Sequence, residues 1–237
     1  MSLANIELFP LTTKLNEAGH IEIGGCDTVK LVSDYGTPLY LYDETTLRTI
    51  AREFNTEFTS RYPNTTVAYA SKAFINPAIA DLANQENLGL DVVSGGEFAV
   101  AQSVGFPLDK VYFHGNNKTP QELEAAIKAG IGRIVVDGLY ELTLLDELAG
   151  SVGIKQDIML RLSPAVDPHT HAKPTTGILD SKFGISIDTG DARQAMMQAL
   201  AAQNLELVGL HCHLGSPIFE LEPYSIAIDT MLSFAAE

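Results

Sequence analysis

Three things are scarce in this chain of 237 residues: cysteine, basic side chains and long apolar runs. The two cysteines, Cys26 and Cys212, stand far apart in sequence, which argues against a disulfide framework and for reduced thiols in a cytoplasmic protein. Fifteen Lys and Arg face thirty Asp and Glu, for a formal charge of −15. A surface of that sign repels phosphate backbones and anionic lipid, so nucleic acid and membrane are not expected partners. No apolar stretch approaches the roughly 20 residues that cross a bilayer. The opening MSLANIELFP has no basic stretch leading into an apolar core, so no secretory signal is expected. There is no HExxH and no close cysteine pair, and Gly95-Gly96 is too short for a dinucleotide-phosphate fingerprint.

What is present is a core. The chain is 46% hydrophobic and 19% charged, with a mean hydropathy of +0.09, long enough to bury one large interior. Short runs rich in Val, Ile and Leu alternate with stretches of helical period, the rhythm of a parallel α/β fold. Strands are predicted at Thr66–Tyr69, Leu88–Val93, Lys110–His114, Arg133–Val136, Asp157–Leu162 and Leu207–Leu210. Between them lie helix signals. Asp43 precedes a helix with Leu47, Ile50, Phe54 and Phe58 on one face, and Asn76 caps Pro77. Thr119-Pro120-Gln121-Glu122 forms a capping box closed downstream by Gly130, and Tyr224–Glu237 reads as a last helix.

About six βα units are visible where a TIM-type (β/α)8 barrel needs eight over roughly 250 residues, so an incomplete barrel is expected over residues 36–237. Residues 1–35 differ: Ile21–Gly25 and Val29–Val32 alternate loosely and read as a β segment belonging to a second, mainly β domain.

Polar residues fall at the ends of the predicted strands. VAYASKA ends an apolar run in Lys72; such a lysine can attack an aldehyde, although lysines at strand ends commonly just reach solvent. Asp91 and Ser94 close the second strand, His114 the third, Asp137 the fourth, Arg161 the fifth, and His211, His213 and Ser216 the sixth. In parallel barrels catalytic groups gather at the strands' carboxyl ends, which is where all of these would meet.

Taken in order, YASKA, LGLDVVSGGE, HGNNKT, LRLSP, HTH…TG…SKFG and GLHCHLGS resemble the diaminopimelate decarboxylases, which are pyridoxal 5'-phosphate (PLP) enzymes of the alanine-racemase-like, ornithine-decarboxylase-like barrel type. YxxKA and HxGS are shared by the wider barrel decarboxylases, whereas HGNNK and His169–Gly184 favour the diaminopimelate branch. The resemblance, from about Gly36 onward, implies decarboxylation of meso-2,6-diaminopimelate to L-lysine and CO2. It implies Lys72 as the Schiff-base lysine, His213 against the cofactor ring and Ser216 on the phosphate, with Asp91, Arg161 and His114 also near the cofactor. It implies a homodimer too, and a glycine-rich phosphate loop, a pyridine-nitrogen glutamate and partner-subunit residues that would follow Glu237, so the chain is expected to be an N-terminal part that self-associates.

Other readings stay open. Ser94 and Glu97 also fit a helix cap, and Arg161 an ion pair of the rim. The pairs His211/His213 and His169/His171 raise zinc, but a zinc site needs three or four convergent ligands, and no metal is expected. Another PLP barrel decarboxylase or racemase for a basic amino acid, or a non-catalytic PLP-binding relative, are the alternatives to the lysine-forming enzyme.

Overall fold

The computed structural model describes residues 5–164, 166 and 183–237. The chain packs as two compact units, Met1–Ala68 with Leu82–Leu88, and Tyr69–Asp81 with Gly89–Glu237.

The first unit opens with a small antiparallel sheet of β1 (Lys14–Leu15), β2 (Ile21–Ile23) and β3 (Cys26–Asp27), in that order. Lys14 pairs with Glu22, and Glu22 with Asp27. The expected strand at Val29–Val32 is instead part of helix α1 (Thr28–Tyr35). Asp27 accounts for the change: its carboxylate accepts from the N–H groups of Val29 and Lys30, satisfying donors that only a helix start leaves free. The Lys30–Asp34 pair at 2.6 Å then spans one helical turn.

Helix α2 (Glu44–Arg61) begins where expected, with Asp43 accepting from the Thr46 N–H at 3.2 Å. Its expected apolar face is not its docking face. Ile50, Phe54 and Phe58 are about half exposed, and Phe54 and Phe58 stack on each other with centroids 6.5 Å apart. The helix is held instead by charge: Arg48 and Arg52 both reach Glu86, at 2.7 and 2.6 Å, and Glu86 is buried.

In the second unit β4 (Ala68–Ala70), β5 (Gly89–Val92), β6 (Val111–Phe113), β7 (Arg133–Val136), β8 (Gln156–Ser163) and β10 (Leu205–His211) form one sheet, with β9 (Ile185–Ser186) pairing the end of β8. The order is β10-β8-β7-β6-β5-β4. Each new strand is added on the same side, with no reversal, which is the winding of a barrel and not of a doubly wound sheet. The pairings β5–β6, β6–β7, β7–β8, β8–β9 and β8–β10 are all parallel. The intervening helices are α3 (Pro77–Gln85), α4 (Gly95–Ser103), α5 (Pro120–Ala129), α6 (Leu139–Val152) and α7 (Asp191–Ala201), and α8 (Glu222–Ala236) follows β10. All six expected strands form; β9, with only two residues, is too short to show a sequence period.

The core lies between sheet and helices. Leu90, Val92, Phe113, Ile134, Ile158 and Leu160 from the strands and Leu123, Ile127, Leu142 and Leu145 from α5 and α6 are all at most 1% exposed. The capping box at Thr119 is complete, and its Glu122 does more than expected: the same carboxylate accepts from the Gly95 N–H at 2.8 Å and so caps α4 as well. At the opposite ends of the strands, Gly132 donates its N–H to the Leu108 carbonyl at 2.7 Å. A Cβ at 132 would lie 2.3 Å from the Asp109 carbonyl oxygen, so main chain touches main chain there.

Candidate active site

The carboxyl ends of the strands deliver the polar residues one by one. Lys72 stands in the single 3-10 turn Ser71–Ala73 that ends β4, and Asp91 is the next-to-last residue of β5. His114 follows β6, its N–H donated to the Val92 carbonyl at 2.7 Å. Arg161 lies in β8, and His211 ends β10 with His213 two residues on. Burial along β8 alternates strictly, so the strand turns Leu160 and Leu162 into the core and Arg161 to its other face. Lys72, Asp91, His114, Arg161, His211 and His213 line one cavity of about 260 Å³, completed by Val93, Gly115, Asn116 and Phe183.

The histidines are held neutral. Burial, the neighbouring His211 ring and nearby cations push His114 down to about 3. Burial, Arg161 and His213 push His211 down to about 4. The His114 and His211 rings meet edge to face, with centroids 4.7 Å apart. His213 is lowered in the same direction, mainly by burial. Asp91 moves the other way, up to about 6, because burial outweighs the attraction of Lys72. Near neutral pH the cavity therefore combines Lys72, Arg161 and an ionised Asp91 with imidazoles that can donate or accept without adding charge.

Arg161 is fixed from two sides. Its Nη1 lies 3.0 Å from Asp137 Oδ1 in an ion pair off the linear direction of a hydrogen bond, and its guanidinium sits 4.8 Å from the Phe183 ring centroid. Two polar atoms of the cavity residues, Asp91 Oδ1 and His211 Nδ1, are buried without a hydrogen-bond partner; His114 Nε2 is 3.7 Å from the former, too far for one. These two atoms are free to bond a polar ligand or an ordered water.

Ser216 is exposed and is not part of the cavity lining. Ser94 caps α4 through the Glu97 N–H at 3.3 Å, while the Glu97 carboxylate accepts from Val93 N–H at 2.9 Å. His169 and His171 lie outside the described residues. Among the described residues no three His, Cys, Asp or Glu side chains are placed to hold a metal ion. Sequence reasoning put His211 at the rim but gave it no role, and did not single out Phe183 or Asn116. The two-residue spacing to His213 carried a signal for His211; Phe183 comes from a stretch with no strand or helix period.

The profile of the pyridoxal-dependent decarboxylase, pyridoxal binding domain, matches residues 47–237. The chain belongs to this family. Among its relatives, the diaminopimelate decarboxylase of Bacillus methanolicus is 48% identical over 216 residues, covering 91% of this chain and 50% of that protein. The diaminopimelate decarboxylase of Mycobacterium tuberculosis is 42% identical, covering 93% of this chain and 48% of that one. The crystal structure of diaminopimelate decarboxylase from M. jannaschii in complex with L-lysine is similar with a TM-score of 0.85 at 35% identity, covering 94% of this chain and 52% of that chain. The chain spans about half the length of the curated relatives it matches.

Proposed function

We propose that this chain forms the PLP-binding part of a decarboxylase that converts meso-2,6-diaminopimelate to L-lysine and CO2. The observation that carries the reading is the convergence of Lys72, Asp91, Arg161 and three neutral or weakly basic imidazoles on one cavity at the carboxyl ends of parallel strands. The substrate assignment draws on relatives named diaminopimelate decarboxylase at 42–48% identity, and on a neighbour crystallised with L-lysine.

The residues present fit PLP. Lys72 is the residue whose amine would hold the cofactor and would carry the proton returned to the substrate carbon. When bound, PLP supplies the electron sink for the pair left behind as CO2 departs. His213 would supply a flat, weakly basic surface for the ring, whereas Ser216, exposed and outside the cavity lining, is the one expected ligand that the cavity does not include. The unpartnered Asp91 Oδ1 and His211 Nδ1 offer hydrogen-bonding atoms on the cavity wall. His114, uncharged near neutral pH, adds a hydrogen-bonding edge without repelling Arg161. Arg161, held by Asp137, keeps a fixed positive charge where an anionic group would be oriented.

The test is a visible absorbance titration with PLP. The wild-type chain is expected to develop a band that Lys72→Ala lacks, and the band is expected to shift on adding meso-2,6-diaminopimelate but not ornithine or arginine. Identical spectra from wild type and Lys72→Ala would remove the cofactor assignment. A shift with ornithine or arginine instead would reassign the substrate.

A further inference from the structure

One charged group in the second unit is absent from the cavity yet touches what builds two of its walls. Lys118 has a side chain 1% exposed, and its ammonium donates to the Gly115 carbonyl at 2.5 Å and the Val135 carbonyl at 2.8 Å and lies 2.8 Å from Glu141 Oε1 in an ion pair off the direction of a hydrogen bond. These belong to three different segments, namely the loop after β6, the end of β7 and helix α6. Gly115 is itself a cavity residue and follows His114 directly. Its φ of 109° is a left-handed conformation open to glycine, and a Cβ there would press on the Val93 carbonyl oxygen at 3.2 Å. Glu141 in turn accepts the Asp137 N–H at 3.0 Å, and Asp137 carries the ion pair to Arg161.

The result is a buried line of alternating contacts, Lys118 to Glu141, Glu141 to the Asp137 backbone, Asp137 to Arg161, with a side branch from Lys118 to the His114–Gly115 wall. Stability alone does not call for it. Apolar residues of similar volume in place of a buried ion pair are commonly neutral or stabilising. What apolar residues cannot do is fix two carbonyls and a carboxylate at set distances from one point.

We propose that Lys118 and Glu141 are positioning residues that set the orientation of Arg161 and of the His114–Gly115 wall without touching the ligand. The link to PLP rests on the proposed function; the link to Arg161 does not.

The experiment has two arms. In the first, the unliganded chain is treated with phenylglyoxal, an arginine-selective dicarbonyl, and labelling of Arg161 is followed by peptide mass, with the ion-paired Arg48 as an internal reference. Lys118→Met and the paired swap Lys118→Met/Glu141→Leu are expected to speed Arg161 labelling at least about fivefold, the size of effect of one hydrogen bond's worth of order, with Arg48 unchanged. The swap is expected to lower the melting temperature less than Lys118→Met alone, because it leaves no unpaired buried carboxylate. In the second arm the same variants are titrated with PLP, with apparent affinity expected to fall at least about tenfold while the Lys72-dependent band remains.

Unchanged Arg161 labelling in a folded variant overturns the proposal, as does joint acceleration of Arg48 and Arg161 in both variants, which would make the pair part of fold maintenance only. Faster Arg161 labelling in a protein whose wild type shows no Lys72-dependent band would leave the positioning role standing and remove the PLP reading. A normal band with unchanged labelling would do the reverse.

Discussion

The two units of this molecule are held by different forces. In the second, β5 to β8 and their helices close over Leu90, Val92, Phe113, Ile134, Ile158 and Leu160, none more than 1% exposed. In the first, α2 keeps Ile50, Phe54 and Phe58 about half exposed and is tied down through Arg48, Arg52 and the buried Glu86. A parallel sheet covered by helices makes its own interior; a helix fastened by a carboxylate between two guanidiniums depends on charge and on whatever else its apolar stripe meets. The lesson is that rigidity here is placed under the cavity, where geometry has to be kept.

This contrast can be tested by damaging each unit in turn. Phe113→Ala empties a site that is fully buried and stacked against Phe98, with ring centroids 6.4 Å apart. It is expected to cost about 3–5 kcal/mol in urea unfolding.

The cavity groups give a smaller effect with a definite sign. His114 and His211 have folded pKa values of about 3 and about 4, below their ordinary value of 6.5, so at pH 5 the unfolded chain binds two protons that the folded one does not. Asp91, raised from 3.8 to about 6, binds one proton in the folded state that the unfolded one lacks. From these three groups, two minus one leaves one, and stability is expected to fall by about 1.4 kcal/mol per pH unit as pH drops through 5. His213 acts with the other histidines. Urea midpoints between pH 4.5 and 6 check the slope. His114→Gln is expected to flatten it, and Asp91→Asn to raise it to about 2.7 kcal/mol per unit. Equal slopes in all three proteins would mean that these groups are not buried as described.

The smallest change belongs to the first unit. Phe54→Ser, on the exposed stripe, is expected to cost under about 1 kcal/mol, because about half of the ring is already in water. A loss matching that of Phe113→Ala would erase the distinction between the units.

Much of the second unit could be read directly from the residues. Arg133–Val136 is a strand with the bounds expected, because an uninterrupted apolar run between a helix-closing Gly130 and a loop at Asp137 admits little else. The capping box at Thr119 was visible because its chemistry is local. The error at Val29–Val32 has the opposite cause: loose alternation suggested a strand, and the cap from Asp27 decided for a helix. The outward stripe of α2 was illegible in kind, since periodicity shows that a face exists and not what covers it. In the site, the residues were found at strand ends, but the Lys118–Glu141–Asp137 line was not. It joins three segments that only folding brings together, and a buried lysine looks in sequence like any surface one.

Gly132 carries a consequence for how this molecule can vary. The peptide groups of 108–109 and 132 abut so closely that no side chain fits between them, while the loop after β6 borders the cavity through Gly115 and Asn116. A mutational library spread over β6 and β7 should therefore show a lopsided tolerance, with many amino acids surviving at the exposed Asn116 and one letter at 132. New side chains can be selected at the cavity end of β6, whereas main chain against main chain leaves room for none at 132.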